Sequence, residues 1–155
     1  YTRRNTLSLH DALPIFIQSG LAATIVESLT LIHGLPIILL VLVVALAVSF
    51  ATEITSNTAM AAVLMPIMAA TAISMSINPI ILMMTAAVCA SMAFMLPVAT
   101  PPNAVAYGSG YVTASDLLRS GWGLNLIGVA VWTFFLFTVV LWALGISTAL
   151  PAWAL

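Results

Sequence analysis

The polar stretch TEITSNTA, residues 52–59, lies between two apolar runs and decides how this chain can fold. Residues 35–51 before it are almost purely aliphatic, and a second apolar run extends from residue 59 to residue 77. Non-helical backbone leaves N–H and C=O groups that lipid cannot satisfy, so it is tolerated at membrane depth only where protein or a water-filled cavity meets it. Such an interruption indicates the binding site of a transporter. The alternative is an ordinary turn outside the membrane between two full spans.

A second interruption, FMLPVATPPNA at residues 94–104, ends the next apolar run, which begins at residue 80. Its three prolines and an asparagine break helical continuity. Between the two interruptions, Asn78-Pro79 predicts a turn, and residues 124–144 form a last apolar run that is long enough to span a bilayer. The chain therefore has two helix-breaking polar segments, each flanked by apolar sequence.

The composition places the chain in lipid. Of its 155 residues 63% are hydrophobic and 5% are charged, whereas a soluble domain is about 25% charged. No charged residue occurs from 54 to 115, which predicts several membrane helices and an all-α membrane protein. With three Arg, no Lys and a net charge of −1, the chain has no basic surface for nucleic acid. No Ser/His/Asp or Cys/His set is placed for catalysis, so we do not expect an enzyme.

The residue types at the two interruptions suit a pair of ions. Ser, Asn and Thr at 56–58 are preferred helix N-caps, and Pro101-Pro102 favours a second helix start. Two helix N-termini that face each other bind an anion without Lys or Arg. The hydroxyl of Thr52, Thr55 or Ser56, together with the amide oxygen of Asn57 and the carbonyls of the preceding helix ends, would suit a small monovalent cation. An anion and a cation held side by side is what coupled symport requires.

TEITSNTA, followed about forty positions later by FMLPVATPPNA, resembles the divalent anion/sodium symporter family over roughly residues 16–147. The resemblance implies a sodium-coupled carrier of di- or tricarboxylates, of the succinate, malate, fumarate and citrate class. It also implies an inverted-repeat transporter with elevator-type alternating access, which acts as a homodimer in the bacterial inner (plasma) membrane. This chain corresponds to the carboxyl-terminal part only, without the partner repeat.

The resemblance also implies roles for individual residues. The substrate carboxylate would be bound by a set from both motifs: Ser56, Asn57, Thr58, Thr100 and Pro101. Sodium would be the coupling ion, and no other cofactor is expected. It would be bound, largely through backbone carbonyls, by Thr52, Thr55, Asn57 and Ala99.

The same resemblance divides the chain into segments. Residues 1–15 differ in character from the rest and resemble translated sequencing adapter, so we expect a non-native leader. The other expected segments are an interfacial arm helix at 16–34, a re-entrant hairpin at 35–77, a broken helix at 79–110, a cytoplasmic loop at 111–120 and a final transmembrane helix with its tail at 121–155. The loop is placed in the cytoplasm by Arg119 alone. If residues 35–55 are one helix of 21 residues, it is about 31 Å long and would cross fully.

Glu53 leaves two interpretations open. It is a carboxylate for proton coupling, or a structural group paired with protein near the hairpin tip, and the second is preferred.

Two rival functions remain open for the whole chain. One is a proton-coupled antiporter or an anion or metalloid exporter, in which Glu53 is central. The other is a nonfunctional membrane fragment or a structural subunit.

Overall fold

The computed structural model describes residues 36–154, and this part of the chain is built from helices. The expected leader at 1–15 and arm helix at 16–34 lie outside the described residues. The one extended pairing between residues 36 and 154 is an isolated bridge from Ile77 to Ala149. In chain order the helices are α1 (Ile37–Ala51), α2 (Asn57–Ser74), α3 (Pro79–Cys89), α4 (Pro101–Gly108), α5 (Ala114–Phe135), a π-helical turn (Leu136–Val140), α6 (Leu141–Ala143) and a 3-10 turn (Ala152–Ala154).

Three of the helix starts lie where the sequence predicts them. Helix α2 follows Ser56 in the N-cap position, and α4 begins at Pro101. At the predicted turn, the Asn78 side chain accepts a hydrogen bond from the Ile80 N–H, and Pro79 is the first residue of α3. An asparagine cap and a first-turn proline thus mark the start of α3, and first-turn prolines mark the start of α4, as they do in soluble helices.

Helix α1 is shorter than the 21-residue helix considered for residues 35–55. It has 15 residues, or about 22 Å, which is less than the roughly 30 Å of a bilayer's hydrocarbon core. The two residues after the helix are buried: the Thr52 hydroxyl lies against the Ala90 carbonyl at the end of α3, and Glu53 lies against the second interruption. In the described part, two segments are long and apolar enough to cross a membrane: Asn57–Ser74 and Ala114–Ala143.

Within the segment 111–120, expected as a cytoplasmic loop, residues 114–120 are helical. Helix α5 begins at Ala114, because Thr113 and Asp116 form a reciprocal capping box. The Asp116 carboxylate accepts from the Thr113 N–H at 3.0 Å and from its hydroxyl at 2.6 Å. From Ala114 to Ala143 the helical segment has 30 residues, about 45 Å, so it is longer than the hydrocarbon core is thick. The exposed turn that carries Asp116 and Arg119 therefore has room to lie outside the lipid.

Helix α3 is the centre of the packing. Helices α1 and α2 both pack on it and make few contacts with each other, while α1 also packs on α5. Ile81, Leu82 and Ala86 of α3 are fully buried as a result. Because α1 and α3 run side by side, the first interruption after α1 and the second after α3 are brought together.

Helix α5 approaches the second interruption at Gly121. A methyl group at this position would overlap the Phe94 carbonyl and lie 2.6 Å from the Met95 Cα, so no larger residue fits without a shift of the backbone. The other end of the structure is closed by Asn78, whose N–H and side-chain amide donate to the carbonyls of Thr148 and Ser147, both at 3.0 Å. Helix α5 thus contacts the segment after α3, and the segment after α6 contacts the turn between α2 and α3.

Replacing Gly121 with Ala should lower the stability of the protein by about 1–3 kcal/mol, the usual effect of overpacking. The matched control is Gly123→Ala on the same helix, where a methyl group meets open space. This change should be neutral or slightly stabilising because Ala favours helix over Gly. Thermal unfolding of the detergent-solubilised protein measures both, and equal melting temperatures for the two variants would contradict the close approach.

Candidate functional site

The end of α1 packs against the end of α3 through two hydroxyl groups, and this contact brings the two polar interruptions together. The buried Thr52 hydroxyl lies 2.8 Å from the Ala90 carbonyl, and the buried Ser49 hydroxyl donates to the Met92 carbonyl at 3.0 Å. Both carbonyls follow the end of α3, where the helix can no longer satisfy them. The hydroxyls of Ser49 and Thr52 therefore lie where another turn of α3 would supply hydrogen bonds to these carbonyls.

Glu53 holds the N–H groups of the second interruption. Its side chain is 4% exposed, and its carboxylate oxygens accept from the backbone N–H groups of Phe94 at 2.8 Å, Met95 at 3.0 Å and Leu96 at 3.1 Å. The Asn125 side-chain amide donates a fourth hydrogen bond at 2.8 Å. All of these bonds are donated to Glu53, and an ionised carboxylate accepts them without conflict. Glu53 is thus paired with protein groups, which the preferred interpretation expects, and its structural role stays a prediction.

The remaining backbone of the second interruption has few donors to satisfy. Its three prolines have no N–H. The Asn103 amide of α4 donates to the carbonyls of Ala93 at 3.2 Å and Leu96 at 3.0 Å. Glu53, which follows α1, and Asn103 of α4 thus supply hydrogen bonds that lipid cannot give to this irregular segment.

A cavity of about 550 Å³ lies where the two interruptions meet. This volume is within the range of small-molecule sites. Its lining comes from both motifs: Glu53, Ile54, Thr55, Ser56, Asn57, Thr58, Val98, Ala99 and Pro101.

Most of the residues predicted for the site line this cavity, with two differences. Thr52 is fully buried behind the lining, and its hydroxyl lies 2.7 Å from the Asn57 amide oxygen. Thr100 is the N-cap residue of α4, makes no side-chain capping bond, and is not among the lining residues. The predicted set is therefore brought to one place, with Thr52 as a supporting residue behind Asn57.

The start of α2 offers unpaired donors to the cavity. Ser56 makes no side-chain capping bond; its hydroxyl lies 3.0 Å from that of Thr58. Among residues 36–154, no hydrogen bond reaches the N–H groups of Asn57, Thr58 and Ala59. Helix α4 differs from the expected second N-terminus, because its first two residues are prolines and give no N–H. The donors for an anion therefore come mainly from α2.

Reasoning from the sequence missed Asn125 and Gly121, which lie one helical turn apart on α5. Asn125 was visible as an amide within the last apolar run, and polar residues in such runs are seldom without a role. Its partner, Glu53, is 72 positions away, so no local pattern identifies the pair.

Comparison with known proteins gives a consistent match. Residues 15–146 match the profile described as the sodium:sulfate symporter transmembrane region. The chain is 40% identical over 134 residues to the sodium-dependent dicarboxylate transporter SdcS of Staphylococcus saprophyticus, which covers 86% of this chain and 26% of the relative.

Two mammalian relatives match the same region. The Na(+)/dicarboxylate cotransporter 3 of Rattus norvegicus is 37% identical over 139 residues, which is 88% of this chain and 23% of the relative. Solute carrier family 13 member 1 of the same species is 38% identical over 120 residues, which is 77% of this chain and 20% of the relative. The chain thus spans about a quarter or less of the length of these relatives.

Replacing Glu53 with Gln should destabilise the protein by at least about 1.5–3 kcal/mol, the usual value of a hydrogen bond to a charged group. The Gln amide would place its NH₂ group against backbone N–H donors. Asp116→Asn is the control, because this carboxylate is exposed and its loss affects only a helix cap, worth at most about 1 kcal/mol. Denaturation of both variants in detergent checks the difference, and a Glu53 variant as stable as the Asp116 variant would argue against the structural role.

Proposed function

The chain belongs to the sodium:sulfate symporter transmembrane family, and from this membership we propose that it forms the carboxyl-terminal part of a symporter that carries di- or tricarboxylates together with sodium. Members of the family are membrane transporters and not enzymes. The observation that carries the proposal is the single cavity lined by both polar interruptions. The printed names of the dicarboxylate-carrying relatives support the substrate class.

A substrate carboxylate is bound in this proposal at the start of α2. The unpaired N–H groups of the first turn, the positive end of the helix dipole and the hydroxyls of Ser56 and Thr58 all favour an anion. Pro101 lies across the cavity, and Thr100 supports it as the N-cap of α4. No arginine or lysine lines the cavity, so a dianion needs a mobile cation beside it.

Sodium is bound, in the same proposal, by oxygens of Thr52, Thr55, Asn57 and Ala99. The Thr52 hydroxyl has one proton but two acceptors within reach, the Asn57 amide oxygen and the Ala90 carbonyl. If the Asn57 amide turns by 180°, its NH₂ donates to Thr52, and Thr52 donates to Ala90. Both bonds then form, and the amide oxygen is free for a cation. Because sodium supplies the missing positive charge, it binds before the carboxylate.

The proposed architecture is an elevator-type carrier in which residues 35–77 form a re-entrant hairpin. Two features support the hairpin: α1 is only about 22 Å long, and the tip residues Thr52 and Glu53 are buried against the broken helix. We further propose that the complete protein, with its other repeat, is a homodimer in the bacterial inner membrane, and that Arg119 lies on the cytoplasmic side.

The proton-coupled alternative is less well supported. A carboxylate that carries protons must release or accept one during the cycle, whereas Glu53 accepts hydrogen bonds from Asn125 and from three backbone N–H groups. Protonation would place a donor against these donors. The fragment interpretation, in which the chain has no transport role, predicts that substitutions in the cavity leave transport by the full-length protein unchanged.

Succinate uptake by the full-length protein in proteoliposomes should require sodium and fall to background when choline replaces it. Asn57→Ala should abolish the dependence of uptake on sodium and on substrate, because Asn57 serves both proposed sites. Thr138→Ala is the control, since this exposed hydroxyl bonds only its own helix at Phe134. Equal uptake in sodium and choline would refute coupling, and undiminished transport by the Asn57 variant would refute its role.

A cysteine at Ile54 should react with a membrane-impermeant thiol reagent, and sodium with succinate should slow the reaction. Ile54 is 79% exposed and lines the cavity. Tyr111→Cys, in an exposed loop far along the chain, should react at a rate that ligands do not change. Measuring both rates in an otherwise cysteine-free background tests the hairpin, because a tip in an ordinary external turn would show no protection.

A further inference from the structure

Asn125 is a fully buried amide on α5 that does not line the cavity. Its Nδ2 donates to Glu53 Oε1 at 2.8 Å, while its Oδ1 has no hydrogen-bond partner among residues 36–154. A buried acceptor without a partner is destabilising, and most buried polar atoms avoid this state. An apolar residue of similar size would remove that penalty but would also remove the donor. The role of Asn125 therefore lies in the hydrogen bond that its NH₂ group donates to Glu53.

The backbone around Asn125 is shaped for this contact. Gly121, one turn earlier, allows α5 to approach Phe94 and Met95 so closely that a methyl group would not fit. Gly128, almost one turn later, faces Met92, whose Sδ would lie 3.2 Å from an added methyl group. Asn125 therefore lies in the middle of the face that α5 presents to the second interruption.

Glu53 connects Asn125 to both walls of the cavity. It directly precedes the first wall, residues 54–58, and its oxygens hold the N–H groups of residues 94–96, directly before the second wall at 98–101. We propose that Asn125 is a positioning residue: through Glu53 it sets the spacing of the two walls, and so the apparent affinities for sodium and carboxylate, without touching either. This inference rests on the proposed symport function.

The amide of Asn125 has one allowed orientation, because its oxygen would repel the Glu53 carboxylate. An aspartate at this position would replace the donated hydrogen bond by a second acceptor facing the Glu53 carboxylate. An alanine would leave that oxygen of Glu53 without the Asn125 donor. Both Asn125→Asp and Asn125→Ala should therefore loosen the contact between α5 and Glu53.

The test uses initial rates of succinate uptake by the full-length protein in proteoliposomes, each variant normalised to wild type at the same pH. Asn125→Ala and Asn125→Asp should raise the half-saturating concentrations of sodium and succinate by about tenfold or more, with a smaller effect on the maximal rate. Thr133→Val is the structural control, since this buried hydroxyl on α5 bonds only its own helix at Val129; it should leave both half-saturating concentrations unchanged.

The outcomes separate the two claims. If the wild type shows no sodium-dependent uptake, the proposed function fails. If the wild type transports and the Asn125 variants keep its half-saturating concentrations, or lose only maximal rate as a folding defect would, the positioning role is overturned. Should the Asp variant fail to accumulate, Asn125→Ala alone decides whether Asn125 has the positioning role. Raised half-saturating concentrations support the role, and a loss of maximal rate alone overturns it.

Discussion

The buried carboxylate of Glu53 is the interaction on which the rest of this structure depends. Transfer of a charge from water to a protein interior costs several kcal/mol unless hydrogen bonds replace its hydration. Here three consecutive backbone N–H groups and one amide replace it. The same bonds satisfy a non-helical segment that lipid could not accommodate. Each partner therefore stabilises the other in the protein interior.

This mutual dependence explains why polar groups converge from distant parts of the chain. Ser49, Asn103 and Asn125 come from three different helices. Ser49 donates to the Met92 carbonyl just before the second interruption, Asn103 donates to the Leu96 carbonyl within it, and Asn125 donates to the Glu53 carboxylate. Irregular backbone in lipid needs a partner for almost every polar group, so the helices that surround it must approach closely. On α5, this close approach requires a residue without a side chain, which is Gly121.

The sequence alone predicts the two interruptions, the helix starts at Asn57, Pro79 and Pro101, and a cavity lining drawn from both motifs, because these follow from local caps, prolines and polarity. It does not predict where α1 ends or which residues hold the second interruption. Those features depend on pairs such as Glu53 and Asn125, 72 positions apart, which arise from packing. The start of α5 at Ala114 was missed for a different reason. Its capping box is a local signal, but the glycine and serine around it also suit a loop.

In the proposed symporter, the lack of fixed cations around the cavity is what couples substrate to sodium. A lysine or arginine in the lining would hold a carboxylate whether or not sodium were present, and the empty carrier would retain a buried charge. Helix N–H groups and hydroxyls supply only part of the compensation that a dianion requires, so the bound state becomes favourable when sodium adds the remainder. The buried anion of Glu53 does not disturb this balance, because its charge is already compensated by the bonds that shape the cavity. The charge-free interval from 54 to 115 is thus a requirement of the coupling as well as of the lipid.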